Sequence, residues 1–212
     1  MSENPADSRP FLDRVRLEEF WHTRATGARR ELLIGACLAF AELGYHGAST
    51  REIASRARMS PAAVYIYFAS KEDLFFAISK DGHQAALDAL RNPGDLSADP
   101  LERLRLAVSG FAAYHAQMHI LVRTVQYELR VLTGGNFDTV ASIRRQIDAY
   151  LRRLLQDGID SGQFHIPDLD GTTLLILSFC IDIARWYRED HHRPPAAIGL
   201  QYSDLAVKLV TP

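Results

Sequence analysis

Cysteine is scarce in this chain: two residues in 212, Cys37 and Cys180, each inside an apolar stretch. That excludes a disulfide framework and points to buried free thiols in a reducing cytoplasm. The start of the sequence has no basic segment followed by an apolar core, so no signal peptide is expected. Long apolar runs are lacking too. The most apolar stretch, 174–183, is interrupted by Ser178 and Asp182 and falls short of the roughly 20 residues that a bilayer crossing needs. No membrane partner is expected. A nucleophile elbow, a phosphate-cradling glycine loop and paired catalytic carboxylates are all missing, which argues against an enzyme and calls for no cofactor. No strand alternation competes with helical spacing, and no internal repeat is visible.

A large net charge is also absent. With 47% hydrophobic and 24% charged residues and a net charge of -2, the composition is that of an ordinary globular protein. The charge is unevenly divided. Between positions 24 and 71 there are seven basic residues (Arg24, Arg29, Arg30, Arg51, Arg56, Arg58, Lys71) against three acids (Glu31, Glu42, Glu52), an excess of four that leaves -6 for the remainder. A basic module on an acidic body concentrates any attraction to phosphate in one region.

That region contains the most informative stretch, 50–74, read as TREIASRARMSPAAVYIYFASKEDL. Thr50 is a candidate N-cap for a helix of about two turns, with Ile53 and Ala57 on its inner face. Arg58 and Met59 break that helix. Ser60 and Pro61 start the next one, since serine caps well and proline is tolerated at the first helical position. Val64 and Phe68 point inward, four apart, while Ala62, Ala63, Tyr65 and Ile66 face out. Small residues with a few hydrogen-bonding tips suit a helix that sinks into a major groove. Ser70 caps a third helix whose first turn carries Glu72 and Asp73 at the positive end of its dipole.

The ordered run of Gly44, Thr50, Ile53, Ala54, Ser60, Tyr65, Tyr67, Phe68, Lys71 and Leu74 resembles the DNA-binding domain of the TetR family of transcriptional regulators. The resemblance is close over residues 29–76 and looser beyond. It departs at Arg58, where family members usually carry glycine at a turn that favours a left-handed backbone; arginine there costs about 1 kcal/mol and offers a phosphate contact. The resemblance implies an all-α protein with an N-terminal three-helix helix-turn-helix domain and a C-terminal helical ligand-binding and dimerisation domain. The expected division is an extension at 1–23, a DNA-binding domain at 24–70 and an effector-binding and dimerisation domain at 71–212. Double-stranded operator DNA, a second copy of the chain and a small-molecule effector are the implied partners. Arg51, Pro61, Ala62 and Tyr65 match positions that face bases. Thr50, Ala63, Tyr67 and Lys71 match positions near phosphates, and Ser60 and Ile66 complete the candidate surface.

Outside this module the spacing predicts a series of helices. The extension has a polar start and then FLDRVRLEEFW, in which Phe11, Val15 and Phe20 share a side over a turn or two. It is either an arm reaching DNA through Arg9, Arg14 and Arg16 or a tail that is packed on the body or disordered, and Asp13, Glu18 and Glu19 favour the tail. Leu33, Ala36, Cys37, Phe40 and Leu43 form the stripe of a supporting helix stopped by Gly44. A helix opened by Lys71 runs to Asn92-Pro93-Gly94. Asp99-Pro100 starts another, running from Leu101 to about Met118, with Leu104, Val108, Phe111 and His115 on one stripe. A further segment runs to about Arg130 and stops near Thr133-Gly134-Gly135. Amphipathic 137–159 carries Ile143, Ile147, Tyr150, Leu151, Leu154 and Leu155; 171–187 is apolar nearly all round; and 197–210 ends the chain. By resemblance, 137–160 and 171–188 form the dimer interface.

For the effector, Phe111, Met118, Val122 and Tyr127 are the general apolar candidates. His115 and His119, four apart, have metal-like spacing, but no cysteine or carboxylate lies nearby in that segment, so cavity lining or surface histidines are preferred and no metal is expected. The text from 184 to 210, with 154–170 before it, resembles a branch of the family that responds to acyl-CoA thioesters. Arg185, Trp186, Tyr187 and Arg188 suit such a ligand, through guanidinium to phosphate and indole to adenine. The alternative is that Trp186 and Tyr187 are interface core and the arginines pair with Asp182, Glu189 or Asp190. His191 and His192 are read as solvated.

Overall fold

In the computed structural model, residues 5–188 and 192–211 are described, with side chains from residue 13 onward. They form ten α-helices, one 3-10 turn and no strand. In order the helices are α1 (Pro5–Trp21), α2 (Gly27–Gly47), α3 (Thr50–Arg56), α4 (Pro61–Tyr67), α5 (Lys71–Gly94), α6 (Pro100–Gln117), α7 (His119–Tyr127), α8 (Gly134–Asp160), α9 (Leu169–Trp186) and α10 (Pro195–Val210); the 3-10 turn is Leu129–Val131. The side chains of Arg9 and Phe11, and Glu189, Asp190 and His191, lie outside the described residues. The helices gather into two compact units. One runs to Gly82 and also takes Ile120–Val140; the other takes His83–His119 and the chain from Ala141 on. Helix α5 passes from the first to the second.

In the first unit, α2 buries Leu33, Ala36, Cys37 and Phe40 as its spacing predicts. Leu43, expected on that stripe, is instead 42% exposed. The reason is Gly44, whose φ of 70° turns the backbone out of the helix before its last residues. Gly35 lets α2 lie directly on α3: a Cβ there would sit 2.9 Å from the backbone nitrogen of Ala57 and 3.0 Å from the carbonyl oxygen of Ile53. The extension is a 17-residue helix rather than a turn or two. Its buried set is Leu17, Phe20 and Trp21, and the Trp21 indole donates to Asp81 Oδ2 at 3.0 Å.

The second unit is built from longer helices around one core. Leu104, Val108 and Phe111 of α6 share a core with Ile147, Leu151, Leu154 and Leu155 of α8, Ile176, Cys180 and Ile183 of α9, and Ile198, Ala206 and Val210 of α10, and His115 is buried against Phe111. Asp99 caps α6 by accepting from the Glu102 N–H at 3.0 Å, with Pro100 at the first helical position. Gly199 allows α10 onto α6, since a Cβ there would lie 2.4 Å from the Ser109 carbonyl oxygen. Burial raises the pKa of both thiols, Cys37 in the first unit and Cys180 in the second, and leaves them unreactive.

Two helix boundaries differ from expectation. Gly134 and Gly135 lie inside the first turn of α8 rather than in a loop before it. Helix α9 starts at Leu169, because Asp168 caps it by accepting from the Gly171 N–H at 3.0 Å. The chain breaks at Met118, as expected (φ -104°, ψ 28°), which puts His115 at the end of α6 and His119 at the start of α7. They are not an i, i+4 pair on one helix, and the spacing argument for a shared metal ion fails. Helix α9 leaves Leu174 and Leu175 exposed on its outer face, and α10 leaves Leu200, Leu205 and Leu209 exposed. No described helix is long and apolar enough to cross a membrane.

Candidate nucleic-acid interface

Helices α3 and α4 are each seven residues long, too short to hold in isolation, so caps and buried anchors must fix them. Ser49, not Thr50, is the N-cap of α3: its side chain accepts from the Glu52 N–H at 3.1 Å. Thr50 becomes the first helical residue, and its hydroxyl shares a 3.4 Å hydrogen bond with the Tyr65 hydroxyl. At the other end, the Met59 N–H bonds to the Ala54 carbonyl at 2.8 Å and the Arg58 N–H to the Ser55 carbonyl at 3.0 Å. This is the paired closure of a helix that ends in a left-handed residue. That residue is Arg58, at φ 57°, the turn position at which the sequence departs from glycine.

Ser60 occupies the N-cap of α4 without a side-chain cap bond, and Pro61 follows at the first turn. Val64 is fully buried and Phe68 is 5% exposed, so they anchor the inner face. The outer face comprises Pro61, Ala62, Tyr65 (57% exposed), Ile66 (76%) and Tyr67 (43%), with Ala63 half-buried beside them. Arg51 of α3 is exposed and Thr50 half-buried. The surface has two hydroxyl tips, one bare aliphatic side chain and two methyl-sized residues. It matches the shallow apolar and hydrogen-bonding demands of a groove floor.

Lys71 is turned inward. Its ammonium donates to the carbonyls of Tyr45 at 2.8 Å and Ala48 at 3.1 Å, and lies 4.3 Å from the centre of the Tyr45 ring. It therefore ties the end of α2 to the start of α5, and one of its three N–H groups is left for a phosphate. Ser70 Oγ accepts from the Asp73 N–H and donates to its carboxylate, capping α5.

Several supports were invisible in the sequence. Arg14 of α1 donates to Glu18 at 2.8 Å, to Glu31 at 2.6 Å and to the Arg56 carbonyl at 3.4 Å, so the extension braces the last turn of α3. As an arm reaching DNA, Arg14 is already engaged. Arg56 bonds Glu52 at 2.8 Å and Glu42 at 2.9 Å. Partial burial disfavours its charge, but these two carboxylates outweigh that and hold its pKa above normal. Glu128 accepts from the Tyr45 N–H at 3.0 Å. The only local signal among these was the four-residue spacing of Arg14 from Glu18 and of Glu52 from Arg56.

The effector candidates divide. In the second unit Phe111, His115, Met118 and His119 are buried. His115 Nδ1–H donates to the Phe111 carbonyl at 2.7 Å, its ring lies 4.3 Å from that of Phe111, and burial lowers its pKa from 6.5 to about 4. His119 Nδ1–H donates to the Ala116 carbonyl at 3.2 Å, and its ring faces Tyr187. Arg185 is exposed and bonds Asp182 through two nitrogens at 2.6 and 3.0 Å, one of the pairings that the sequence left open. Trp186 is half-buried beside Tyr187. In the first unit Val122 is buried, while Tyr127 is 65% exposed.

Comparison with known proteins agrees with this geometry. Residues 32–78 match the model of the bacterial regulatory proteins of the tetR family, and residues 97–210 match that of the tetracyclin repressor-like C-terminal domain. The transcriptional repressor KstR2 of Mycobacterium tuberculosis is 30% identical over 191 residues, 86% of this chain and 92% of its own length. A tetR-family regulatory protein from Rhodococcus RHA1 superposes with a TM-score of 0.82 at 34% identity, covering 88% of this chain and 98% of that one. The structure of AibR in complex with isovaleryl coenzyme A and operator DNA shares the fold, with a TM-score of 0.75 at 23% identity over 88% of this chain and 99% of that one. The chain belongs to the TetR family of DNA-binding transcriptional regulators.

Proposed function

We propose that this regulator is a cytoplasmic repressor that binds a palindromic operator as a homodimer and is released by a hydrophobic or acyl-CoA-like effector. The observation that carries the reading is the outer face of α4, which exposes Tyr65, Ile66 and Tyr67 next to Pro61, Ala62 and Ala63. In this reading Arg51 donates to a guanine edge as a two-pronged donor, Tyr65 and Ile66 read bases, and Ser60, Thr50, Tyr67 and the remaining Lys71 donor hold phosphates. The domain division follows the same logic, with 24–70 reading DNA and 71–212 sensing and dimerising.

Support for repression is the relative KstR2, named a repressor. Support for a CoA thioester is AibR, solved with isovaleryl coenzyme A and operator DNA. The effector candidates are Phe111, His115, Met118, His119, Arg185 and Trp186 in the second unit, and Val122 and Tyr127 in the first. Dimerisation through α8 and α9 would cover the exposed Leu174 and Leu175, each contributing about 1.5–3 kcal/mol on full burial. Because α5 belongs to both units, an effector that favours one position of its second half biases the reading heads by population shift.

The test is a fluorescence-anisotropy titration of the protein against its own upstream DNA across a salt series, with an unrelated duplex as control. Tight binding to the first alone, weakening steeply with salt and relieved by a CoA thioester, is expected. Equal, weak binding to both duplexes would overturn the reading.

A further inference from the structure

In the second unit a hollow of about 320 Å³ lies between the end of α5, the start of α6 and the middle of α8. Three helices each send an arginine to its lining: Arg91 from α5, Arg103 from α6 and Arg153 from α8. Asp95 and Tyr150 complete its polar wall. Asp95 faces Arg91 and Asp157 pairs with Arg103, so three guanidinium groups against two carboxylates leave the hollow with one positive charge in excess.

The wall is fixed by its own bonds. Tyr150 is 9% exposed, and its hydroxyl donates to Asp95 Oδ1 at 2.9 Å. That hydroxyl occupies space which any side chain at Gly94 would claim, since a Cβ there would lie 2.5 Å away. Arg103 is held by Asp157 at 2.9 Å through one Nη and also bonds the Tyr150 hydroxyl, so of its five-donor fork only the remaining N–H groups can meet a further acceptor. Arg91 lies 3.4 Å from Asp95, with its side chain 59% exposed. Planar forks on several sides of one space suit phosphate oxygens, and Asp95 suits a hydroxyl or amine donor on the same molecule. The volume is at the lower end for small-ligand sites.

We infer that this hollow binds the phosphorylated nucleotide end of a coenzyme A thioester. The inference rests on the acyl-CoA reading above and assigns its polar end to residues other than Arg185 and Trp186. The experiment is calorimetric titration of free coenzyme A, which has no acyl chain, into the full-length protein. The Arg91→Gln/Arg153→Gln variant changes two exposed side chains, and Arg145→Gln on α8 serves as a control outside the lining. Expected are binding to the wild type and to Arg145→Gln, and at least a tenfold loss in the double variant with its unfolding curve unchanged. Adenosine 3′,5′-bisphosphate should compete and pantetheine should not. Absence of binding, or equal binding to all three proteins, overturns the inference.

A second readout separates the two ideas. If isovaleryl-CoA or a long-chain acyl-CoA releases the operator from wild type and double variant at the same concentration, the acyl-CoA reading stands and the hollow is not its headgroup site. If free coenzyme A binds in the arginine-dependent way but no thioester changes operator affinity, the nucleotide site stands and the effector reading falls.

Discussion

Helices α4 and α9 both leave apolar side chains in the open, for opposite chemical reasons. Helix α4 has seven residues, held by Val64 and Phe68, and its exposed side chains are two tyrosines, an isoleucine and small residues. Helix α9 has eighteen residues, seated by Ile176, Cys180 and Ile183, and exposes the plain aliphatic Leu174 and Leu175. A tyrosine tip keeps its hydrogen bond in water and can pass it to a phosphate or base; a leucine gains only by leaving water. Exposure alone therefore does not name a partner. The polar tips on α4 fit a solvated polyanion, and the bare leucines on α9 fit another copy of a protein surface.

The largest effect should follow from reversing the character of α9. Leu174→Glu with Leu175→Glu should give a monomer in sedimentation equilibrium while the far-ultraviolet spectrum stays helical. Operator affinity should fall by about 100-fold or more, because linking two half-site readers multiplies affinity by roughly 10²–10⁴. A variant that stays dimeric would move the interface elsewhere, with the exposed leucines of α10 as the next candidates.

Acid should separate the two units next. The buried histidines His83, His115 and His119 all belong to the second. Burial lowers the His115 pKa from 6.5 to about 4; the Phe111 carbonyl partly opposes this and His83 adds to it. Its folded pKa lies below its unfolded one, so the unfolded chain binds the extra proton. Stability contributed by neutral His115 is complete above about pH 6.5 and is lost as pH falls toward about 4. Between pH 7.5 and 5 the loss should be about 2 kcal/mol, read as a shift in the urea midpoint. His115→Gln should flatten that slope; an unchanged slope would mean that His115 titrates normally.

On α4 itself, Tyr67→Phe removes one hydroxyl and little else. Operator affinity should drop about fivefold, the worth of one hydrogen bond near 1 kcal/mol, with thermal stability unaffected because the side chain is 43% exposed. Loss of stability without loss of binding would make Tyr67 a packing residue.

How much of this was legible depended on how local the cause was. Asp99-Pro100, Ser70 and the Leu104–Val108–Phe111–His115 stripe each act within a turn or two, and their helices stand where the spacing put them. The cap expected at Thr50 falls instead to Ser49, the residue before it and an equally good capping type, so the helix starts one residue earlier than the spacing placed it. The end of α6 at Met118 stands where the spacing put it, whereas Gly134-Gly135 reads as a stop and is helical. In α1 the reading of a turn or two with Phe11, Val15 and Phe20 on one side caught Phe20 but missed Leu17 and Trp21, which the longer helix buries with it. The inward turn of Lys71 and the gathering of Arg91, Arg103 and Arg153 depend on residues distant in sequence. Outward residues of α4 could be listed from a heptad; the arginine-lined hollow required the fold.

The smallest effect tests why arginine stands at position 58. A left-handed backbone costs a non-glycine residue about 1 kcal/mol, so Arg58→Gly relieves strain at φ 57°. Glycine also raises the entropy of the unfolded chain by roughly 0.4–1 kcal/mol, and the two nearly cancel. Stability should change by less than about 0.5 kcal/mol. The exposed guanidinium at the turn between α3 and α4 is then the reason to keep arginine: if it meets a phosphate, Arg58→Gly should weaken operator binding about two- to fivefold and reduce the salt slope by about one. Arg58→Lys should retain most of the slope and Arg58→Asn should not, although asparagine also tolerates the left-handed backbone. An unchanged slope in Arg58→Gly would show that the turn tolerates arginine without using it.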